Sequence, residues 1–286
     1  SVSGDLEFPV ERLKRVIGLQ EGDLFRSDDL RRGIQQISDL YSDLGYAFAE
    51  VDPATNVDKK TRTLSVDFRI RKGDRVRIGR VEVRGNTKTR DRIVRREMRL
   101  SEGELYSASA IRKSREKIEA LGFFEKVNLS TNRRPGTNVV DVDIEVEEKA
   151  TGSFTVGAGY SSTDKIVGMA SVSQRNLFGL GYQLSFNVNL GTGATRKTYS
   201  LTFNNPRIFD SNVYAGFDLY NSARSYTDYD KDSTGGDVKL GLSLGDDWRT
   251  RLTYRYDDST VSEVSDTASA ELKDAEGRTI TSALTP

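Results

Sequence analysis

Two hydrophobic periods divide the chain. From Phe154 onward, apolar residues recur at every second position. The clearest run is Tyr182–Leu190, where Tyr182, Leu184, Phe186, Val188 and Leu190 point one way and Gln183, Ser185, Asn187 and Asn189 point the other. That alternation predicts a β-strand. Before Lys149, alternating runs are interrupted by stretches whose apolar residues stand three and four apart, the spacing of amphipathic helices.

The stretch 76–149 reads as one complete unit. Val76–Val83 alternates and predicts a strand. Gly85-Asn86 is a turn signal. Thr89 or Asp91 is placed to cap a helix over Arg92–Met98, with Ile93, Val94 and Met98 on one face. Ser107 or Ser109 opens a second helix through Leu121, its Ile111, Ile118 and Leu121 in helical spacing, and Gly122 fits its C-terminal cap. Phe124–Ser130 and Val139–Glu147 are strands flanking the turn Arg134-Pro135-Gly136-Thr137. The order is β-α-α-β-β, so both helices must cover one face of a small three-stranded sheet: an α+β module.

The unit occurs twice. Val2-Ser3-Gly4-Asp5 returns as Val83-Arg84-Gly85-Asn86, and Glu21-Gly22-Asp23-Leu24-Phe25 returns as Glu102-Gly103-Glu104-Leu105-Tyr106, both 81 residues later. Leu44-Gly45-Tyr46 returns as Leu121-Gly122-Phe123 after 77. The four-residue difference is about one helical turn, so one long helix differs in length between the copies. In the first copy the helices fall at Pro9–Ile17 and Ser27–Leu44 and the strands at Ala47–Asp52 and Thr63–Lys72, with most of the opening strand lacking. At least one further unit is expected upstream. Units at 1–73 and 74–149 then give way to a third region at 150–286.

In that third region the expected strands are Phe154–Tyr160, Ile166–Ser173, Tyr182–Leu190, Thr198–Asn204, Val213–Tyr220, Val238–Leu244, Arg249–Tyr256 and the beginning of an eighth at Arg278–Pro286. One face is apolar and the other small and neutral, which suits lipid outside and a wet lumen inside a transmembrane β-barrel. Arg249, Arg251 and Arg255 on a lipid face would be destabilising by roughly 2–4 kcal/mol each near the midplane, so they belong in the lumen. Tyr160, Phe178, Tyr182, Phe209, Tyr220 and Trp248 fit interfacial aromatic girdles. Connections at 221–236 and 257–277 read as long and polar, and Gly245-Asp246-Asp247 as a tight turn. Alternating long and short connections are the pattern of outer-membrane barrels. Seven or eight strands could close a small barrel, but the ending within the eighth strand points to part of a larger one.

Composition narrows the function. Cysteine and histidine are absent, which removes disulfides, thiolate metal sites and His-based catalysis. Only a carboxylate-only or Ser-Lys enzyme would remain, and no enzymatic role and no cofactor are expected. Forty-three basic residues balance 43 acidic ones, which argues against nucleic acid as a partner. No run of 18 or more apolar residues offers a spanning helix, and no basic-then-apolar leader opens the chain.

Several stretches, taken in order, carry a resemblance. They are Arg95-Arg96-Glu97-Met98-Arg99; Leu121-Gly122-Phe123-Phe124-Glu125-Lys126-Val127; Thr151-Gly152-Ser153-Phe154 with Gly157 and Gly159-Tyr160; Asn176-Leu177-Phe178-Gly179 with Gly181-Tyr182; and Asn205-Pro206-Arg207-Ile208-Phe209. Together they resemble the BamA family of outer-membrane barrel assembly proteins, and the soluble units look like its POTRA modules. The resemblance implies that these are the last two of five modules and that the barrel has sixteen strands. It implies a bacterial outer-membrane protein with residues 1–149 in the periplasm. The work implied is insertion of β-barrel proteins without chemistry and without ATP. Partners would be unfolded outer-membrane clients, accessory lipoproteins and outer-membrane lipid.

By the same likeness, Ser153, Phe154, Thr155, Val156, Gly157, Ala158, Gly159 and Tyr160 form the strand that pairs with clients at a lateral gate. Gly157 and Gly159 either weaken that strand, which would help it to open, or merely let the barrel bend or relieve crowding. Strand edges near Phe48 and Val51, and near Phe124, Val127 and Leu129, are further candidate pairing sites, although most edges are simply protected. Glu102 matches a position near which the family's accessory lipoprotein docks; a solvated turn acid is the plain alternative. Lys149, Ala150, Thr151 and Gly152 form the expected hinge between modules and barrel. The Arg/Lys/Glu-rich helices read as solvated faces. A sister protein dedicated to one exported passenger, as in two-partner secretion or autotransporter assembly, is the closest rival. A passive porin is less favoured, because porins lack tandem soluble modules.

Overall fold

The computed structural model describes residues 1–19, 21–162, 165–192, 196–244 and 248–286. They fall into two units. One comprises Ser1–Asn86 with Val94–Glu148, the other Thr87–Ile93 with Lys149–Pro286.

The first unit holds both α+β modules. In the first module, β1 (Val2–Gly4), α1 (Val10–Ile17), α2 (Ser27–Ser42), β2 (Glu50–Asp58) and β3 (Thr63–Arg71) give a sheet of order β1-β3-β2. β1 lies parallel to β3, and β2 antiparallel to it. Leu13 of α1, Ile37 and Tyr41 of α2, and Ile70 of β3 are fully buried. Tyr41 keeps its hydroxyl satisfied by donating to the Asp5 carbonyl (3.0 Å) and accepting from the Glu7 N–H (3.1 Å), as a buried phenol requires.

The second module repeats the plan with β4 (Arg77–Arg84), α3 (Asp91–Arg95), α4 (Ala108–Ala120), β5 (Phe124–Arg133) and β6 (Val139–Glu148), in sheet order β4-β6-β5. On β6, Val140, Val142, Ile144 and Val146 are all buried, as their alternation predicted. Ser107 caps α4 by accepting from the Ala110 N–H (3.1 Å). The helix expected over Arg92–Met98 stops at Arg95. Ile93 and Val94 are buried as predicted, and the backbone leaves the helix once they are seated.

The expectation that the charged helices are solvated needs correcting at one place. Arg96 and Glu97 form an ion pair (3.5 Å) with both side chains more than nine-tenths buried. A buried pair of this kind survives only when its groups are satisfied by one another and by neighbours.

The second unit is an eight-stranded antiparallel sheet of order β14-β13-β12-β11-β10-β9-β8-β7. Its strands are β7 (Gly152–Ser161), β8 (Lys165–Leu177), β9 (Tyr182–Gly191), β10 (Arg196–Asn205), β11 (Val213–Ser225), β12 (Asp230–Leu244), β13 (Trp248–Ser262) and β14 (Gly277–Thr285), with a short helix α5 (Ala270–Asp274) before the last. The sheet is not closed into a barrel.

One connection departs from expectation. Residues 221–236 are not a long loop, because β11 and β12 stay paired from Asn221↔Thr234 out to Ser225↔Asp230. Only 226–229 turn the chain, with the Tyr226 and Tyr229 rings stacked at 4.5 Å. The alternation ends at Tyr220 while the hydrogen bonding does not. The expected loop at 257–277 shortens likewise to 263–276, part of it α5. The turn expected at 245–247 lies outside the described residues.

Candidate functional site

Register assigns every described strand residue of the large sheet to a face. Ser153, Thr155, Gly157 and Gly159 of β7 share a face with Ser171 and Ser173 of β8, Gln183, Ser185, Asn187 and Asn189 of β9, and Thr198, Ser200 and Thr202 of β10. That polar face continues through Asp218, Asp237, Lys239, Arg251, Arg255 and Asp257. Several of its charges are paired there. Arg255 donates twice to Asp237 (2.7 and 2.8 Å), Lys239 pairs with Asp218, and the Tyr220 hydroxyl donates to Asp257 (2.7 Å). The three arginines of β13 lie on this face, as charge required.

The opposite face is apolar and uncovered. Phe154, Val156 and Tyr160 are exposed on it, as are Phe186, Leu190, Leu219, Val238, Leu240, Leu252, Tyr254 and Tyr256. Ten-residue strands at about 3.3 Å per residue, tilted by about 45°, span about 23 Å, the height of a membrane barrel's apolar band. β7, β9 and β10 have that length. β12 and β13, at 15 residues, exceed it. The excess carries Asp230, Asp232 and Thr234 of β12, and Asp258 and Thr260 of β13, on the same face.

β7 stands at one end of the sheet and pairs on one side only, with β8, from Gly152↔Gln174 to Ser161↔Lys165. Alternate residues of an edge strand direct N–H and C=O groups outward, unmatched. The two glycines differ. A Cβ on Gly157 would stand 3.0 Å from Met169 Cγ, whereas one on Gly159 would touch nothing within 4 Å. Crowding therefore accounts for part of the preference at Gly157 and for none at Gly159.

Of the four residues expected as a hinge, Thr151 and Gly152 are held in the sheet. The Thr151 carbonyl accepts from the Arg175 N–H (3.0 Å), and its hydroxyl donates to Gln174 Oε1 (2.6 Å). Gly152 is already the first residue of β7. Only Lys149 and Ala150 lie between the last strand of the second module and this bonded stretch.

The other predicted residues are placed as follows. β2 and β5 are edge strands of their sheets. Val51, Phe124 and Val127 are buried and Leu129 half-buried, so what these edges offer outward is backbone. Pro53 interrupts the donors of β2, a residue confined to edges. Phe48 lies before β2, its ring 4.8 Å from the Arg133 guanidinium. Glu102 is already engaged: its Oε1 accepts from the Val81 N–H (3.0 Å) at the irregularity of β4 and stands 3.9 Å from Arg95.

Sequence reasoning missed the part played by Asn176. Its side chain is buried, donates to Thr89 Oγ1 (2.8 Å) and accepts from the Gly181 N–H (2.8 Å). The Arg90 N–H donates to the Gly179 carbonyl (3.0 Å). Gly179 has φ +68°, and a Cβ there would collide with the Lys88 carbonyl. Residues 87–93 thereby become part of the second unit. The tight turn was visible in Phe178-Gly179-Leu180-Gly181, but its partner 87 residues away was not.

Residues 1–73 and 76–149 each match the POTRA family of surface antigen variable number repeats. The chain belongs to that family. Beyond the POTRA modules, residues 176–285 match the Omp85 superfamily domain. The outer membrane protein assembly factor BamA of Nitratidesulfovibrio vulgaris is 31% identical over 98% of the chain and 36% of its own length. The BamA of Neorickettsia risticii is 30% identical over 99% of the chain and 38% of its length. The chain thus spans little more than a third of these relatives. The crystal structure of BamA from Haemophilus ducreyi lacking POTRA domains 1–3 superposes with a TM-score of 0.79 over 99% of the chain and 57% of that structure, at 23% identity. That likeness is one of fold: POTRA modules followed by part of a β-barrel.

Proposed function

We propose that this chain is part of an outer-membrane protein assembly factor, and that β7 is the strand on which an incoming client is built. The observation that carries the reading is an edge strand of membrane-spanning length, paired on one side only, in a sheet whose relatives are named as assembly factors. A client strand entering lipid alone leaves its N–H and C=O groups unmatched, at several kcal/mol each. Pairing with Ser153–Tyr160 satisfies them one by one by β-augmentation. The apolar side chains of β7 already alternate in the sense a barrel strand needs, so the client inherits its register from its template.

The protein resides in the bacterial outer membrane with its POTRA modules in the periplasm. The modules receive unfolded clients, and β5, without the proline that interrupts β2, is the better periplasmic edge. Accessory lipoproteins dock near Glu102, whose carboxylate braces β4 and so shapes that surface rather than reaching out from it. The short join Lys149–Gly152 links modules and barrel. No covalent bond is made or broken, and no cofactor takes part.

A Thr155→Cys variant of the full-length protein tests the reading. It is expected to form a disulfide with a cysteine-bearing client stalled during assembly. No crosslink at Thr155, with normal expression and crosslinks appearing elsewhere in the sheet, would refute the template role.

A further inference from the structure

The polar face of the large sheet pairs its charges in one place and crowds like charges in another. Asp218 of β11 and Asp237 of β12 stand directly opposite one another, and each has its own cation, Lys239 and Arg255. Nearer the turn at 226–229, Arg196 of β10 stands opposite Arg224 of β11, and Arg224 opposite Lys231 of β12. Like charges directly opposite oppose strand pairing unless something answers them. The flanks of this row in register are Gly191 of β9 and Val261 of β13, so no acid stands beside it. Asp230 and Asp232 adjoin Lys231 in sequence but alternate onto the opposite face. Among the described residues, no carboxylate pairs with Arg224 or Lys231.

The next row on the same face is made of hydroxyls. Thr198, Ser222 and Ser233 stand in register, with the first two oxygens 3.4 Å apart. Together with Arg196, Arg224 and Lys231 they line an open cavity of about 440 Å³, a volume typical of small-ligand sites, roughly 300–1,000 Å³. The carboxylate that lines it, Asp257, stands opposite Gly235, about 13 Å along β12 from Lys231. It already accepts from Tyr220. Arg224 is held in place: its guanidinium lies 4.8 Å from the Tyr226 ring centroid, and that ring stacks on Tyr229. The Tyr226 N–H closes the turn on the Tyr229 carbonyl (2.8 Å). A stacked guanidinium has less freedom left to lose when it takes a ligand.

We propose that this row of cations and the hydroxyls beside it bind a phosphate-bearing ligand. Adjacent strands lie about 4.8 Å apart, so the three cations span about 10 Å, more than one carboxylate can answer. A phosphate carries more acceptor oxygens than a carboxylate, and a guanidinium fork takes two of them at once. The hydroxyls donate to oxygens that the cations leave over. Strand direction alternates from Gly152 onward, so the turn at 226–229 lies at the end of the sheet away from the start of β7. With the modules in the periplasm, the site opens toward the cell exterior. The phosphate arrives there on a soluble compound or on a lipid headgroup reaching over the rim. The assignment does not depend on the client-pairing role of β7.

Two arms on the full-length protein test it, at one fixed ionic strength. In the first, inorganic pyrophosphate is titrated calorimetrically into protein in neutral micelles. In the second, the protein is reconstituted in phosphatidylcholine vesicles containing phosphatidate, and the phosphatidate retained on extraction is measured. Arg224→Gln and Lys231→Gln are each expected to weaken binding about tenfold. Lys231 is exposed, so its variant keeps the test intact if losing the Arg224–Tyr226 stack disturbs the turn. Lys197→Gln removes the same charge from the opposite face and should leave binding within about twofold. Variant-sensitive pyrophosphate binding assigns a soluble ligand, and variant-sensitive phosphatidate retention assigns a lipid; either supports the site. Binding of neither, equal loss in Lys197→Gln, or citrate bound as tightly as pyrophosphate would each overturn it. Neither arm involves a client, so the outcome is separable from that of the Thr155 experiment.

Discussion

The POTRA modules and the large sheet place their apolar residues in opposite ways. Every buried apolar side chain among the described residues lies before Lys149. After it the buried side chains are polar, Asn176, Asp237 and Ser259, while large apolar residues are exposed along one face. Both regions obey one rule: apolar area leaves water. In the modules other side chains remove it; in the sheet lipid does, and the charges gather on the opposite face where they pair with one another. The period of the pattern selects the element, and the solvent on each side decides what an exposed leucine means.

Each region contains a place where that contrast can be broken. In the modules it is Arg96 and Glu97, a charged pair with both side chains buried. Glu97→Ala leaves a buried guanidinium with its close counter-charge gone, and is expected to destabilise the second module by about 3–5 kcal/mol. Hydrogen exchange of the full-length protein in micelles, followed over β5 and β6, reads this directly. Wild-type protection in the variant would mean that the pair is dispensable.

In the sheet the contrast is between faces. Leu240 is on the apolar face, and Leu240→Arg is expected to lose roughly 2–4 kcal/mol of folding free energy in lipid vesicles. Thr202 is on the polar face, directly across from Asp218. Thr202→Arg meets an acid and water, and should change stability by less than about 1 kcal/mol. Urea titration of vesicle-folded protein measures both. Equal losses would mean that the two faces do not see different solvents.

How far the fold could be read from residues follows from the same contrast. The alternation on β9 and β6 and the helical spacing of α4 were explicit, because one side of each element meets an apolar phase. The limits of β11 and β12 were not. Beyond Tyr220 both faces meet water, so Asn221–Ser225 and Asp230–Asp237 show no period although their backbones remain paired. The edge position of β7 was expected from likeness, and the sheet order shows β7 pairing on one side only. Burial of Glu97 was invisible, since a glutamate among arginines looks like any solvated face. The clasp of Asn176 on Thr89 was hidden for another reason: a lone asparagine does not name a partner far away in sequence.

The smallest effect expected is a pH dependence confined to the modules, and its sign can be worked out. Asp141 of β6 accepts from the Arg80 N–H (2.8 Å) and from Arg134 Nη2 (2.8 Å). These hydrogen bonds, the backbone one foremost, hold its carboxyl below the ordinary carboxylate value. A group whose folded value is depressed contributes stability above its unfolded value, near 3.9, and loses it as pH falls through the lower folded value. Protection of the Arg80 amide from exchange, corrected for the intrinsic rate, should therefore be level from pH 7 to about 5 and decline below about 4. Asp141→Asn should lower protection at pH 7 and flatten that decline, since an amide oxygen accepts more weakly and does not titrate. The apolar face of the sheet carries no such carboxylate along Leu240, Leu252 and Tyr254, so exchange there should not follow this curve. A wild-type curve that stays level to pH 2 would show that Asp141 does not brace β4.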